Sequence, residues 1–336
     1  MKVSEKDKNL PISVVIPAYN AERYIGEALE SVLAQTAQPA EIIVVDNGSS
    51  DRTLAMAKAF RVKVLEQVER GAGATRNAGI LAATEPWVAF LDADDLWEPE
   101  KLEFQWIPIQ GDADIGAVFS DFVEFDERGP RPCSFLSRVR HYQKVNRSEL
   151  APGVFLLENS SLQVQFNEGN FIRTSTLMIR RDLLGRVGLF DKNIMNSQDR
   201  EICLRLFPIT KVAVVERPLM RYRLTDSSLS SDDLKVAIGA VKIAERVLSR
   251  PQEYGPLAVD YYRMHQSVYY LNAGRVAEER GEIRQARQYY LHSLRHGGGL
   301  RALTLGGLCV FPKPVRSFVR RTFRYLLGHK LNRFSR

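Results

Sequence analysis

Cysteine is scarce. Cys133, Cys203 and Cys309 are the only three in 336 residues, and no CxxC pair occurs. That argues against a disulfide framework and against a structural zinc site, and it fits a reducing compartment. Long apolar runs are missing too. None reaches the roughly 18 residues of a membrane-spanning helix; the best stretch, 303–311, is short and holds Gly306 and Gly307. The opening MKVSEKDKNL has no apolar core of a signal peptide, so a cytoplasmic location is expected. Acidic residues stop at Glu282. The 54 residues after it hold 12 Lys and Arg, which leaves 35 basic against 40 acidic residues before them. The net charge of +7 therefore divides into a body of −5 and a tail of +12. Such asymmetry points to an anionic partner for the tail.

What remains is ordinary for a globular protein. At 45% hydrophobic and 26% charged, the chain can bury about two domain cores. The first hundred residues alternate between two periods. Ile12–Ile16, Ile42–Val45, Val62–Leu65 and Trp87–Leu91 are short apolar, β-branched runs that predict buried strands, the first ended by Pro17. Between them, Ile25, Leu29, Val32 and Leu33 recur at helical spacing after a potential N-cap at Asn20. Helices are also predicted over 51–60 and 74–83. This order implies an α/β fold with a parallel sheet covered on both faces. Further strands are expected at 115–125, 176–179 and 212–215, a helix at 198–207, and an irregular lid or acceptor loop over 126–170. A boundary is expected near 227–233. We divide the chain into a catalytic domain 1–230, a helical appendix 231–312 and a basic amphipathic tail 313–336. Ala273, Gly281, Ala286, Tyr289 and Tyr290 are vaguely similar to one tetratricopeptide helix pair, but one repeat makes no solenoid, and a small helical appendix is the plainer reading.

Ligands of such sheets lie beyond the carboxyl ends of the strands. Those ends carry Pro17-Ala18-Tyr19-Asn20, Asp46-Asn47 and Asp92-Ala93-Asp94-Asp95. Asp92 and Asp94 are two residues apart, so an extended backbone turns both to one side. Carboxylates held together repel unless a cation bridges them. Mg²⁺ or Mn²⁺ suits oxygen ligands and is commonly held by one or two carboxylates plus substrate phosphates. The competing reading is a solvated acidic turn. Gly71-Ala72-Gly73 fails as a dinucleotide fingerprint, because Arg76 occupies its third glycine position and the stretch follows the third strand.

In order and spacing, Ile12–Asn20, Ser31–Thr36, Glu41–Asp51, Gly73–Gly79 and Phe90–Trp97 resemble the family 2 inverting glycosyltransferases. The likeness is close over about residues 10–110 and weakens to about 225. It implies the GT-A fold, a mostly parallel nucleotide-binding sheet flanked by helices, here with a C-terminal helical region. It implies a nucleotide-sugar donor, a divalent metal and an acceptor hydroxyl. By the resemblance, Pro17 and Tyr19 lie at the nucleotide, Asp46 accepts from the base, and Arg76 steadies the nucleotide or the acidic cluster. Asp92 reaches the ribose, Asp94 the metal, and Asp95 is a further ligand or a support. Asn47 stands where the family usually has a second Asp, and it keeps an acceptor oxygen.

An inverting transfer needs a carboxylate to take the acceptor's proton. Gln198-Asp199 opens an apolar helix and resembles the family's Glu-Asp segment, whose Asp is the base. Asp199 is therefore the candidate base and Asp191 the second candidate. A carboxylate favoured by a helix N-terminus is the plainer account of Asp199.

In the tail, Val319, Phe323, Leu326, Leu327 and Leu331 form an apolar stripe flanked by Arg316, Arg320, Arg321, Arg324, Lys330 and Arg333. It reads as a helix at an anionic membrane interface, or as a helix packed on the body. No motif supports nucleic acid as the partner. The expected acceptor is a surface polysaccharide or lipid-linked glycan. A nucleotidyltransferase acting on a sugar phosphate would want a Gly-rich phosphate loop after strand one, which Pro17-Ala18-Tyr19-Asn20 lacks. A degenerate transferase acting as a scaffold is opposed by the intact acidic set.

Overall fold

The computed structural model describes residues 9–225 and 232–309. The chain forms two compact units, Met1–Ser231 with Ser249–Tyr261, and Asp232–Leu248 with Tyr262–Arg336. Most of the boundary segment and the whole 313–336 tail lie outside the described residues.

The first unit begins with β1 (Asn9–Ala18), α1 (Ile25–Leu33), β2 (Gln38–Asp46), α2 (Thr53–Lys58), β3 (Lys63–Glu66), α3 (Ala72–Ala82) and β4 (Trp87–Phe90). It continues through β5 (Leu96–Trp97), α4 (Lys101–Gly111), β6 (Ile115–Asp126), β7 (Gly129–Pro130), α5 (Phe135–Arg138), β8 (Arg147–Ala151) and β9 (Val154–Leu157). Then come α6 (Asn159–Glu168), β10 (Met178–Arg180), α7 (Arg181–Val187), α8 (Gln198–Leu206) and β11 (Lys211–Arg223). The strands form one sheet in the order β3-β2-β1-β4-β10-β6-β11-β9-β8, with β5 added to β11 and β7 to β6.

Its two halves differ. The run β3-β2-β1-β4 is parallel throughout. Beyond it, β10 pairs antiparallel with β4 and β6, and the β8–β9 hairpin pairs antiparallel with β11, while β6 and β11 are parallel. Strand β1 is buried on both faces. Ile12, Val14 and Ile16 share a core with Ile25, Leu29 and Val32 of α1. On the other face a Cβ at Gly79 of α3 would lie 2.3 Å from Val15 Cγ1, so glycine permits that close approach.

Four expectations need correction. Pro17 does not end β1, which pairs with β2 through Ala18↔Asp46. The registered pairs with β4 end at Val15↔Phe90, and Val15 O accepts from Leu91 N on that side. The next residue of the same parity is Pro17, so its missing N–H falls beyond the ladder and costs no bond. Asn20 caps no helix. With φ at +48° its Oδ1 accepts from Ser50 N at 2.9 Å, so it ties two loops of the site edge. Residues 126–170 are not irregular, for they hold the β8–β9 hairpin and α6, whose start is capped by the Glu158 carboxylate accepting from Ser160 N and Ser161 N. Finally, β11 runs past Pro218, because register shifts on both sides of that residue take it out of regular pairing.

The second unit contains α9 (Asp233–Ser249), the Tyr262–Glu279 part of α10 (Pro256–Glu279), α11 (Ile283–Arg295) and α12 (Gly299–Leu308). Leu234, Val241, Tyr270, Ala273, Ala277, Ala286 and Tyr290 form its core. Gly281, at φ +83°, makes the turn between α10 and α11, and a Cβ at Gly274 would meet the Tyr290 ring at 2.6 Å. The three cysteines are free. No helix among the described residues is long and apolar enough to cross a membrane.

Candidate active site

The parallel strands end in three loops that hold one another. Asp46 closes β2, is 2% exposed, and accepts from Gly48 N and Ser49 N through Oδ2, both at 3.0 Å. Its Oδ1 is buried without a partner. Such an oxygen is costly to leave unmet and suits a ligand N–H. Asn47 is also buried, but its amide is consumed. Nδ2 donates to Gln67 O at 3.2 Å and Glu69 O at 2.7 Å, and Oδ1 accepts from Gly71 N at 2.9 Å. It pins the 67–71 loop, and an Asp could not donate to those two carbonyls. Tyr19 is 56% exposed beside them, with the Arg70 guanidinium 5.4 Å from its ring centroid. Pro17 is half-buried one turn of chain away, inside β1.

After β4, the acidic residues separate by depth. Asp92 takes the Arg76 guanidinium on Oδ1 at 2.5 Å, and its own N–H donates to Ser175 Oγ at 3.0 Å. Asp94 is half-buried. Burial first, then the neighbouring charge of Asp92, pushes its pKa to about 6. Two carboxylates so placed carry a net negative potential that a divalent cation would relieve. Asp95 is 1% exposed and engaged on both oxygens, Oδ2 by the Ser175 hydroxyl at 2.6 Å and Oδ1 by Arg223 N at 3.1 Å. Burial raises its pKa strongly, with Asp94 and Asp92 adding to the effect. Its geometry is that of a tie between the acidic loop, the turn at 174–176 and β11.

Arg76 joins the parallel half to the rest. It is buried on α3, with Nη2 on Asp92 and Nη1 donating to Gln198 Oε1 at 2.7 Å. Gln198 in turn donates to Ile194 O at 2.6 Å. A Cβ at Gly73 would lie 2.7 Å from the Gln198 amide nitrogen, so glycine lets α3 and α8 approach. Asn77, one residue after Arg76, exchanges two hydrogen bonds with the backbone of Phe190. Asp199 follows Gln198 in the first turn of α8 and is 8% exposed. Oδ1 accepts from Arg200 N at 2.7 Å and Asn170 Nδ2 at 3.2 Å. Oδ2 makes no hydrogen bond with any described residue. Burial raises the pKa of Asp199, opposed chiefly by the charge of Arg173. The residue before α8, Ser197, has φ +63°, a strained conformation for a residue other than glycine. Asp191 lies in the preceding turn, with Oδ1 accepting from the backbone and side-chain N–H groups of Asn193.

Tyr19, Asp46, Asn47, Arg76, Asp92 and Asp94 thus lie along the carboxyl edge of the parallel strands, and hydrogen bonds from Arg76 run to both Asp92 and the start of α8. The sequence reading missed Asn170, Arg173, Ser175 and Arg223. Only the run Asn170–Thr176 before a short apolar stretch could have hinted at a turn there. Among the described residues no group of three or more His, Cys, Asp or Glu could by itself hold a metal ion. A carboxylate pair without further protein ligands matches Mg²⁺ or Mn²⁺ completed by phosphate oxygens and water, so the donor set fits such an ion.

The profile of the family described as Glycosyl transferase family 2 matches residues 13–185. The amylovoran biosynthesis glycosyltransferase AmsB of Erwinia amylovora is 28% identical over 227 residues, covering 65% of this chain and 71% of the relative. Curated relatives from Rickettsia species are matched over 67%, 64% and 39% of their own lengths. Among solved structures, S. aureus TarS 1–349 in complex with UDP-GlcNAc aligns with a TM-score of 0.60 at 17% identity, covering 93% of this chain and 92% of that one. The mannosyltransferase PcManGT from Pyrobaculum calidifontis, in complex with GDP-Man and Mn²⁺, gives 0.55 at 17% identity, over 92% and 83%.

Proposed function

The chain belongs to glycosyl transferase family 2 and has the GT-A type of fold, and from that premise we propose that it transfers a sugar, with inversion, from a nucleotide-sugar donor to a glycan or lipid-linked acceptor. The observation that carries this reading is the set of unspent acceptor oxygens at one sheet edge. Among the described residues, Asp46 Oδ1 is buried without a donor, and no side chain donates to the Asp94 carboxylate or to Asp199 Oδ2.

On this reading, Asp46 Oδ1 accepts from the base, with Tyr19 and Pro17 beside it, and Asn47 holds the loop that frames it. Asp92 and Asp94 would hold Mg²⁺ or Mn²⁺, with Asp95 and Ser175 fixing the loop beneath them. Bound there, the ion would supply Lewis-acid neutralisation of the charge on the departing diphosphate. Asp199 Oδ2 takes the proton of the acceptor hydroxyl. The acceptor oxygen so freed forms its bond to the anomeric carbon as the bond to the diphosphate oxygen breaks on the opposite face, and the nucleoside diphosphate leaves. Burial raises the pKa of Asp199 and makes it a stronger base, and the charge of Arg173 opposes that rise. Asp191 is the second candidate for this role.

A panel of nucleotide sugars tests the reading. Release of nucleoside diphosphate, dependent on Mg²⁺ or Mn²⁺, is the expected result; pyrophosphate exchange from a sugar phosphate and a nucleoside triphosphate would point to a nucleotidyltransferase instead. The acceptor class proposed is a surface polysaccharide or lipid-linked glycan, in keeping with AmsB, an amylovoran biosynthesis glycosyltransferase. We further propose that residues 313–336 hold the enzyme to an anionic membrane on its cytoplasmic face. Liposome co-sedimentation of the full chain and of a chain lacking that tail tests this, and equal binding by both would refute it.

A further inference from the structure

One cation near the proposed base makes no close pair among the described residues. Arg173 is half-buried, its Nε is wholly buried, and its guanidinium makes no hydrogen bond and no ion pair with any described residue. Three aromatic rings surround it. Its central carbon lies 5.9 Å from the centroid of Phe122, 5.4 Å from Phe135 and 5.4 Å from Tyr222. Phe122 and Phe135 are themselves stacked, 4.4 Å apart. Aromatic faces hold a guanidinium in place and attract its charge, but they meet none of its five N–H donors.

The segment that carries Arg173 spans the site. Three residues before it, Asn170 Nδ2 donates to Asp199; two residues after it, Ser175 binds Asp95 and accepts from Asp92 N. Along the chain, Arg173 therefore lies between a residue that binds the proposed base and one that binds the acidic cluster. Its electrostatic influence falls on the base side. Arg173 and Arg76 are the cations that stabilise ionised Asp199, whereas Arg223 and Arg76 are those that stabilise ionised Asp94.

We infer that Arg173 binds an anionic phosphate carried by the acceptor, next to the hydroxyl that Asp199 deprotonates. This rests on the transferase reading above. A fixed, unpaired guanidinium presents a planar fork to an oxyanion, and its aromatic setting lowers the entropy lost on binding. The phosphate can belong to a soluble phosphorylated glycan or to a lipid-linked one, and both present the same group to Arg173.

The test measures binding of methyl phosphate and of decyl phosphate, below its micelle concentration, to the full chain by ³¹P NMR, with EDTA present so that no metal bridges. Wild type should bind at least one probe. Arg173→Gln should weaken that binding at least about tenfold, and Arg173→Lys, which keeps the charge but loses the fork, by less. Asp199→Asn should tighten it by removing a neighbouring negative charge. Equal affinity for the two probes assigns the recognition to the phosphate alone, and binding of decyl phosphate alone assigns it to a lipid-linked group. No binding by wild type, or unchanged binding in Arg173→Gln, would overturn the inference. The donor panel run on the same samples separates the two claims: no nucleoside diphosphate from any donor defeats the transferase reading, whatever the phosphate data say.

Discussion

The two halves of the sheet are built by different rules. In the parallel half, β3-β2-β1-β4, all four strands come from the first 90 residues, and site residues follow at the strand ends. In the mixed half, β10 inserts between β4 and β6 from far along the chain, and Asp199, Arg173 and Arg223 come from α8, a turn and the end of β11. The proposed donor residues thus stand on local structure, and the proposed acceptor residues on long-range pairing. Arg76 bonds the two sets together, with one guanidinium nitrogen on each. Donor recognition can stay constant on such a scaffold while acceptor recognition varies.

The largest expected break is in the donor half. Asp94→Ala should cost about 10³-fold in kcat/KM, several kcal/mol of transition-state stabilisation, and should abolish the metal dependence of nucleotide binding measured by calorimetry. Next comes the bond between the halves. Arg76→Lys keeps a charge but cannot serve Asp92 and Gln198 together. Both donor affinity and transfer should fall, by roughly 10- to 100-fold. A purely local role would instead lower only one of them.

Asn47→Asp sharpens the comparison further. The carboxylate would face the carbonyls of Gln67 and Glu69 in place of two N–H donors, at about 1–3 kcal/mol of stability. Thermal unfolding and donor binding should both weaken, while phosphate binding at Arg173 should not change. An unaltered melting temperature would contradict the loop-pinning role.

The smallest effect concerns Lys101, in the mixed half. It is fully buried on α4, with Nζ 4.1 Å from the Trp97 centroid and donating to Gln105, which itself donates to Val118 O and Thr176 O. Burial holds its pKa well below the ordinary lysine value. The unfolded chain then keeps a proton that the folded chain has released, so the stability linked to Lys101 rises with pH up to the unfolded value and falls as pH drops. Lys101→Met should flatten that slope and raise the melting temperature at neutral pH by about 2–4 °C for each kcal/mol regained. An unchanged slope would mean that Lys101 stays charged in the fold.

The same contrast explains what could be read from residues alone. Ile12–Ile16 and Trp87–Leu91 announce buried strands because each carries its own apolar run, and Asp92-Ala93-Asp94-Asp95 announces itself by charge density. Arg173 has no such mark. Its setting is made by Phe122, Phe135 and Tyr222, which the pairing of β6 with β11 and the stacking of Phe135 on Phe122 bring together. The β8–β9 hairpin was illegible for a related reason. Arg147–Ala151 is an edge strand, mostly exposed and polar, and its partner β9 joins the sheet through β11, some 60 residues later. Asn47 differed again: the motif directed attention to the nucleotide, whereas its amide is occupied with the 67–71 loop.

The central claim is that one carboxylate of the mixed half performs the chemistry on a donor held by the parallel half. Asp199→Asn separates the two. Calorimetric binding of the preferred nucleotide sugar with Mg²⁺ or Mn²⁺ and transfer to acceptor should be measured on the same sample. The account predicts binding within about twofold of wild type and transfer reduced by roughly 10²- to 10⁴-fold. Transfer at the wild-type rate in Asp199→Asn would contradict it.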